Sequence, residues 1–254
     1  MTWRLSHLTY KTVRDQQYEV AVLPIGSCEP HNFHLPYGTD TLQADGIADR
    51  VCEAAAAQGA RVVKLPVIPY GVQSNMRELP LAINVYPSTF FALLKDIVDS
   101  LETSGIRKLL ILNGHGGNDF LKPFVREMMG RSEVFIAVSD WWKVGADVYE
   151  GIFDKKDDHA GEMETSVILA LDPERVRFAD AADGATNPTR FEAVNRGWVG
   201  ISRRWDLLTE STGTADPRGA TYEKGEKYLA VIVERLTNFI VELSAAKMDE
   251  KFPF

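Results

Sequence analysis

Residues 18–40 read YEVAVLPIGSCEPHNFHLPYGTD, and both the fold and the chemistry of the chain turn on them. The first nine are apolar over most of their length and alternate little, which suits a strand buried on both faces of a parallel sheet. The strand runs into a loop that puts Glu29, His31, His34 and Asp40 within twelve residues. The chain has five histidines and two of them are here, so the loop is rich in groups that bind metals. After it, residues 41–58 carry Leu42, Ile47, Val51 and Ala54 to Ala56 at helical spacing, with Gly59 as a stop.

The order of strand, then helix, recurs downstream. ARVVKLPVIPYG (60–71) reads as a strand and PSTFFALLKDIVDSLETSG (87–105) as a helix; RKLLILNG (107–114) is a strand running into HGGN, with a helix over 119–130. A fourth strand, EVFIAVSD (133–140), ends at Trp141 and Trp142. This alternation predicts an α/β fold with a mainly parallel sheet and right-handed crossovers. Ligands of such sheets bind beyond the carboxyl ends of the strands, where the Glu29/His31 loop, the loop from Asn113 to Asn118 and Asp140 all fall. The long polar connection at 71–86 is either a substrate-contacting loop or a surface excursion. Residues 157–176 read as a loop entering a helix, 180–220 as irregular, and 222–247 as a closing helix.

Composition sets the outer limits. A chain of 254 residues, 45% hydrophobic and 25% charged, fits one globular domain over residues 1–254. A net charge of −8 argues against a nucleic-acid partner, because binding there rests on neutralising phosphates. No apolar run approaches the roughly 18 residues of a membrane span, and the start has no signal-like core, so no membrane partner is expected. Cys28 and Cys52 form no framework, which indicates a reducing, cytoplasmic setting, with Cys28 read as a small buried thiol rather than a nucleophile.

Zinc and manganese take imidazole nitrogen and carboxylate oxygen, and a two-metal site needs about three protein ligands per ion, often with one carboxylate shared. The available set is Glu29, His31, His34, Asp40, His115, His159 and Glu162. Singly, each has a plainer role: Asp40, for one, could be the N-cap of the helix at 41. The stretch NGHGGN lacks the ending of a P-loop and the spacing of a dinucleotide fingerprint, so its glycines (Gly114, Gly116 and Gly117) are read as letting the backbone approach metal or substrate. In HAGEMETS, Glu162 and Glu164 are two apart and face different ways, whereas His159 and Glu162 can share a helix face, which favours Glu162 over Glu164 as the one reaching the site.

These pieces, GSCEPHNFHLPYGTD, LLILNGHGGN, HAGEMETS and, more weakly, GTADPRGATYEKGEKYL, resemble the creatininase (creatinine amidohydrolase) family over residues 20–230. The resemblance implies a three-layer α/β/α fold and a binuclear hydrolase acting on non-peptide C–N bonds of a small amide, formamide or cyclic amide by a metal-activated hydroxide. It implies two divalent ions per chain, zinc or manganese with iron also admitted: Glu29, Asp40 and His115 on one, His31 and the bridging Asp40 on the other. Creatininase itself has a glutamate where this chain has Gly117; the chain resembles instead the Gly-Gly branch, which includes formamide hydrolases and a mycofactocin-type peptidase, and in it Glu162 would complete the second site. His159 is then the expected proton donor with Glu162 beside it, His34 orients a ligand, and Asn113, Gly116, Gly117, Trp141 and Trp142 stand either behind the ligands or against the substrate, the two tryptophans being pocket walls or core aromatics at the strand end. Asn32 departs from the family's usual glycine. The family also suggests a homo-oligomer, with a hexamer as the form. A peptidase using the same two ions, and a metal-stabilised binding protein, are the competing readings.

Overall fold

The computed structural model describes residues 3–156 and 159–254. Four strands, β1 (Val20–Ile25), β2 (Val62–Lys64), β3 (Lys108–Asn113) and β4 (Phe135–Asp140), form a parallel sheet in the order β2-β1-β3-β4. Five longer helices accompany it: α1 (Thr39–Ala57), α2 (Pro87–Thr103), α3 (Leu121–Met128), α4 (Glu162–Leu171) and α5 (Tyr222–Ala245).

Side chains of a strand alternate between faces, and here both faces are apolar because both are covered. Val20, Val22, Leu110 and Leu112 join one core with Ile47 and Val51 of α1 and Tyr228, Ile232 and Ile240 of α5. Ala21, Leu23, Ile25, Leu109 and Ile111 join the other, with Phe90, Leu94 and Val98 of α2 and Leu121 and Phe124 of α3. The result is the three-layer α/β/α arrangement with the sheet in the middle.

Two expectations change. The strand read over 60–71 pairs regularly only at 62–64, since Pro66 and Pro69 have no N–H for the ladder. The chain still tracks β1, through Leu65 N to Val22 O (2.8 Å) and Ile68 N to Pro24 O (3.0 Å). The connection at 71–86 is no surface excursion at its start. Gln73 is fully buried and its side chain bonds Ser27 Oγ (2.9 Å) and Cys28 O (3.0 Å), strapping this loop onto the Glu29 loop.

The register fixes where the site is. Ile25 pairs with Asn113, and Asn113 with Asp140, so β1, β3 and β4 end at one level. The loops after them open onto a single edge. Among the described residues no helix is long and apolar enough to cross a membrane.

Candidate metal centre

Each ligand candidate is held by its own local structure. Asp40 lies in the first turn of α1, after Gly38, which caps without a side chain; it is therefore a helical residue pointing inward rather than the N-cap. Asn113, the last residue of β3, locks the turn after the strand. Its Oδ1 accepts from His115 N (3.1 Å) and Asn118 Nδ2 (3.0 Å), and its Nδ2 donates to Asp140 Oδ1 (2.8 Å) and His115 O (3.0 Å). Asn118 in turn accepts from Val72 N at 3.1 Å, and Val72 O receives the His115 Nε2 proton at 3.1 Å.

Asn32 explains its own departure from glycine. It sits at φ 54°, a left-handed conformation that asparagine tolerates better than most residues. Its side chain then exchanges two bonds with Ala182, to O at 2.9 Å and from N at 3.1 Å.

Three histidines share one arrangement. A carbonyl only accepts, so a ring nitrogen facing one must carry the proton. His31 Nδ1 faces Glu29 O (3.1 Å), His115 Nε2 faces Val72 O (3.1 Å) and His159 Nε2 faces Pro30 O (3.0 Å). The other nitrogen of each neutral ring is then a lone pair, and each looks at a carboxylate. His31 Nε2 is 3.0 Å from Asp40 Oδ1; His115 Nδ1 is 3.2 Å from Glu29 Oε1 and 3.1 Å from Asp40 Oδ2; His159 Nδ1 is 3.7 Å from Glu29 Oε1. Acceptor facing acceptor is unfavourable unless a cation lies between or the ring takes a second proton. Glu29 Oε2 and Asp40 Oδ2, both buried, receive no hydrogen bond among the described residues.

The electrostatics express the same demand. Burial alone would lower the His31 pKa, but Asp40, with Glu164 and Glu29 behind it, raises it to about 10. His115 is likewise driven up against its burial by Glu29 and Asp40. Asp40 is held far below the usual carboxylate range, burial being outweighed by His31 and His115. Burial, with His31 nearby, pushes His159 down to about 4.

Among the described residues, ligand atoms within 4.8 Å of one another form three groups: Glu29, Asp40 and His115; His31, Asp40 and Glu164; Glu29, His31 and His159. The first two meet at Asp40. Glu162 is not brought to them. It is the first residue of α4, with Gly161 as the N-cap, and His159 lies before the helix, so the shared helix face expected of the pair does not exist. The Glu162 carboxylate points to the opposite side, accepting from Asp154 N and Lys155 N (both 3.0 Å) and from Lys224 Nζ. Glu164, turned through two helical positions, occupies the place expected of Glu162; its Oε2 also accepts from Ala160 N at 2.5 Å. His34 stays behind the cluster, with Nε2 at 2.8 Å from Thr165 Oγ1.

A cavity of about 460 Å³ opens over the cluster. Gly114, Gly116, Gly117 and Trp142 line it, whereas Trp141 is fully buried in the core and faces Tyr228. Asn75 and Met76 come from the 71–86 loop, and Arg203 and Trp205 from the irregular region at 180–220. Sequence pattern gave no sign of those last two, because neither sits in a periodic segment.

Gly117 has a steric reason. A Cβ there would lie 2.1 Å from Val72 O and 2.4 Å from His115 Nε2, on the hydrogen bond that fixes His115. No side chain, glutamate included, fits at that position in this backbone.

A family model described as creatinine amidohydrolase matches residues 6–240. Creatinine amidohydrolase of Pseudomonas putida is 27% identical over 243 residues, covering 88% of this chain and 89% of its own. The mycofactocin precursor peptide peptidase of Mycolicibacterium smegmatis is 28% identical over 220 residues, covering 84% and 81%. A crystal structure of a creatinine amidohydrolase homologue from Bacteroides fragilis superposes with a TM-score of 0.90 at 39% identity, over 98% of this chain and 100% of that one. Solved creatininases in a manganese form (TM-score 0.76, 23% identity, 97% and 100% covered) and a Zn–Zn form (0.77, 21%, 97% and 100%) share the fold. With the sheet, the converging loops and the matched length all in agreement, the chain belongs to the creatininase (creatinine amidohydrolase) family.

Proposed function

We propose that this chain is a two-metal amidohydrolase, one domain over residues 1–254, that cleaves a C–N bond of a small amide, formamide or cyclic amide. The observation supporting it is the donor set: three imidazoles, each with one N–H committed to a backbone carbonyl, turn their lone pairs toward the carboxylates of Glu29 and Asp40, with Glu164 alongside. An N–H held by a carbonyl in this way is how proteins orient histidine ligands. Glu29, Asp40 and His115 would hold one ion and His31, Asp40 and Glu164 the other; zinc and manganese suit these donors, and iron is compatible. Bound ions of this kind supply Lewis acidity and lower the pKa of water from 15.7 toward about 7.

The chain's own groups supply the rest. With Glu29 in one set and His31 in the other, His159 is not needed to complete three ligands. Neutral, with its Nε2 proton fixed on Pro30 O, it is able to take a proton at Nδ1 and return it to the leaving nitrogen, which departs poorly as an anion. Trp142, Met76 and Trp205 wall the cavity and limit water around the scissile bond. The two free thiols fit a cytoplasmic protein, and the family resemblance favours a homo-oligomer, a hexamer as its form.

The test is to strip metal with a chelator, restore zinc or manganese, count ions per chain and assay formamides, lactams and short peptides. Two ions and restored turnover of the small amides are expected, with His31→Ala and Glu164→Ala each losing an ion and activity. Full activity in metal-free protein would overturn the proposal. Turnover confined to peptides would select the peptidase reading, which the Mycolicibacterium smegmatis relative favours. Ions held tightly with no turnover of any amide would indicate a metal-stabilised binding protein.

A further inference from the structure

The cavity over the cluster is lined by the carboxylates of Glu29, Asp40, Glu164 and Asp119, and among its described lining residues Arg203 is the one lysine or arginine. Its neighbour Arg204 is already neutralised, with Nε at 3.1 Å and Nη2 at 2.5 Å from the two oxygens of Asp206. Arg203 has no ion pair among the described residues. Instead its Cζ lies 5.9 Å from the centre of the Trp205 ring.

That ring is fixed. Trp205 is buried, donates Nε1–H to Thr212 O at 2.7 Å, and meets His159 edge-on with centroids 5.4 Å apart. One indole therefore meets the His159 imidazole edge-on and has the Arg203 guanidinium over its ring. A guanidinium drawn to an aromatic face within about 6 Å keeps its fork of N–H donors free for a carboxylate or phosphate. These carboxylates repel an anionic group unless an ion lies between, so Arg203 is the described lining group fitted to receive a free anion.

We propose that Arg203 is a specificity-determining residue: held over Trp205 at the cavity rim, its guanidinium binds an anionic group, carboxylate or phosphate, remote from the amide bond that is cleaved. This rests on the hydrolase reading above for the identity of the cleaved bond. The cavity volume is in the range that holds a small ligand bearing both groups.

The experiment compares N-formylglycine and N-formyl-2-aminoethyl phosphate with neutral N-formylglycinamide on the metal-loaded full chain, in wild type, Arg203→Met and Arg203→Lys. It reads kcat/KM, and Kd by calorimetry for any compound not turned over. Wild type is expected to prefer at least one anion about tenfold, Arg203→Met to bring the ratio near one, and Arg203→Lys to fall between. The preferred anion identifies which group the substrate carries. A wild-type ratio near one, or an unchanged ratio in Arg203→Met, overturns the assignment. Charge-dependent binding without turnover of any compound supports Arg203 while striking the hydrolase reading.

Discussion

At Gly117 a single hydrogen atom in place of a side chain decides how the His115 ring sits. A Cβ would lie 2.4 Å from His115 Nε2 and 2.1 Å from Val72 O, whereas at Gly116 it would meet nothing within 4 Å among the described residues. Gly117→Ala should therefore weaken binding of one ion about 10- to 100-fold, the usual cost of disturbing a ligand's outer hydrogen bond, while Gly116→Ala leaves metal content near wild type. Metal titration of the two variants side by side measures it, and equal affinities would refute the steric account. His34 poses a different residue-scale test. Burial, with His31 nearby, lowers its pKa from 6.5 to about 4, so the folded state needs the ring neutral. Above pH 6.5 neither state is protonated; between 6.5 and 4 the unfolded chain takes a proton that the folded chain refuses, so stability falls as pH falls across that window. In metal-free protein, the urea midpoint of wild type should drop more from about pH 7 to about pH 5 than that of His34→Gln.

The elements that carry these residues depend on one another at their ends, and α4 shows it best. Its orientation is set by Glu162, whose buried carboxylate is held by Lys224 at the start of α5 and by two backbone N–H groups at 154 and 155. Gly219 leaves room for it, since a Cβ there would lie 2.8 Å from Oε1. Lys224→Met leaves that charge under-compensated and should cost about 2 kcal/mol of stability by chemical denaturation, the scale of a charge-assisted hydrogen bond, because Lys224 is itself partly exposed and the two backbone bonds remain. Partial loss of the ion at the Glu164 set is expected with it; an unchanged midpoint would argue that Glu162 bears no structural load. This interplay also marks the limit of what sequence made legible. The parallel strands, the helices between them and the clustering of Glu29, His31, Asp40 and His115 came from apolar runs, glycine stops and chain order, because each is a local pattern. Which glutamate of HAGEMETS faces the cluster did not, because it depends on a helix start fixed by Gly161 and by Lys224, a partner 62 residues away. Arg203 and Trp205 were likewise invisible, since an aperiodic segment has no face to read.

For the whole molecule, the centre joins parts that the chain keeps far apart: the loop after β1, the first turn of α1, the loop after β3, and α4, which follows β4 in the chain. Three carboxylates converge there, and in metal-free protein their charge is met by protons on His31 and His115, whose pKa values they raise. Ions that displace those protons bind the folded state, where the ligands are assembled, far better than the unfolded chain, where residues 29 and 164 are independent. Linkage then gives about 4 kcal/mol of stabilisation at a free ion concentration roughly 1,000-fold above Kd. For a chain of this size each kcal/mol moves the midpoint by roughly 2–4 °C, so loading zinc or manganese into chelator-treated protein should raise Tm by about 10 °C. The rise should shrink in Glu164→Gln, which weakens one of the two sets, and persist in Arg203→Met, whose charge serves the rim of the cavity and not the ions. Differential scanning fluorimetry across a metal series decides it: an absent shift in wild type, or one equally large in Glu164→Gln, would show that these side chains do not close around ions as a unit.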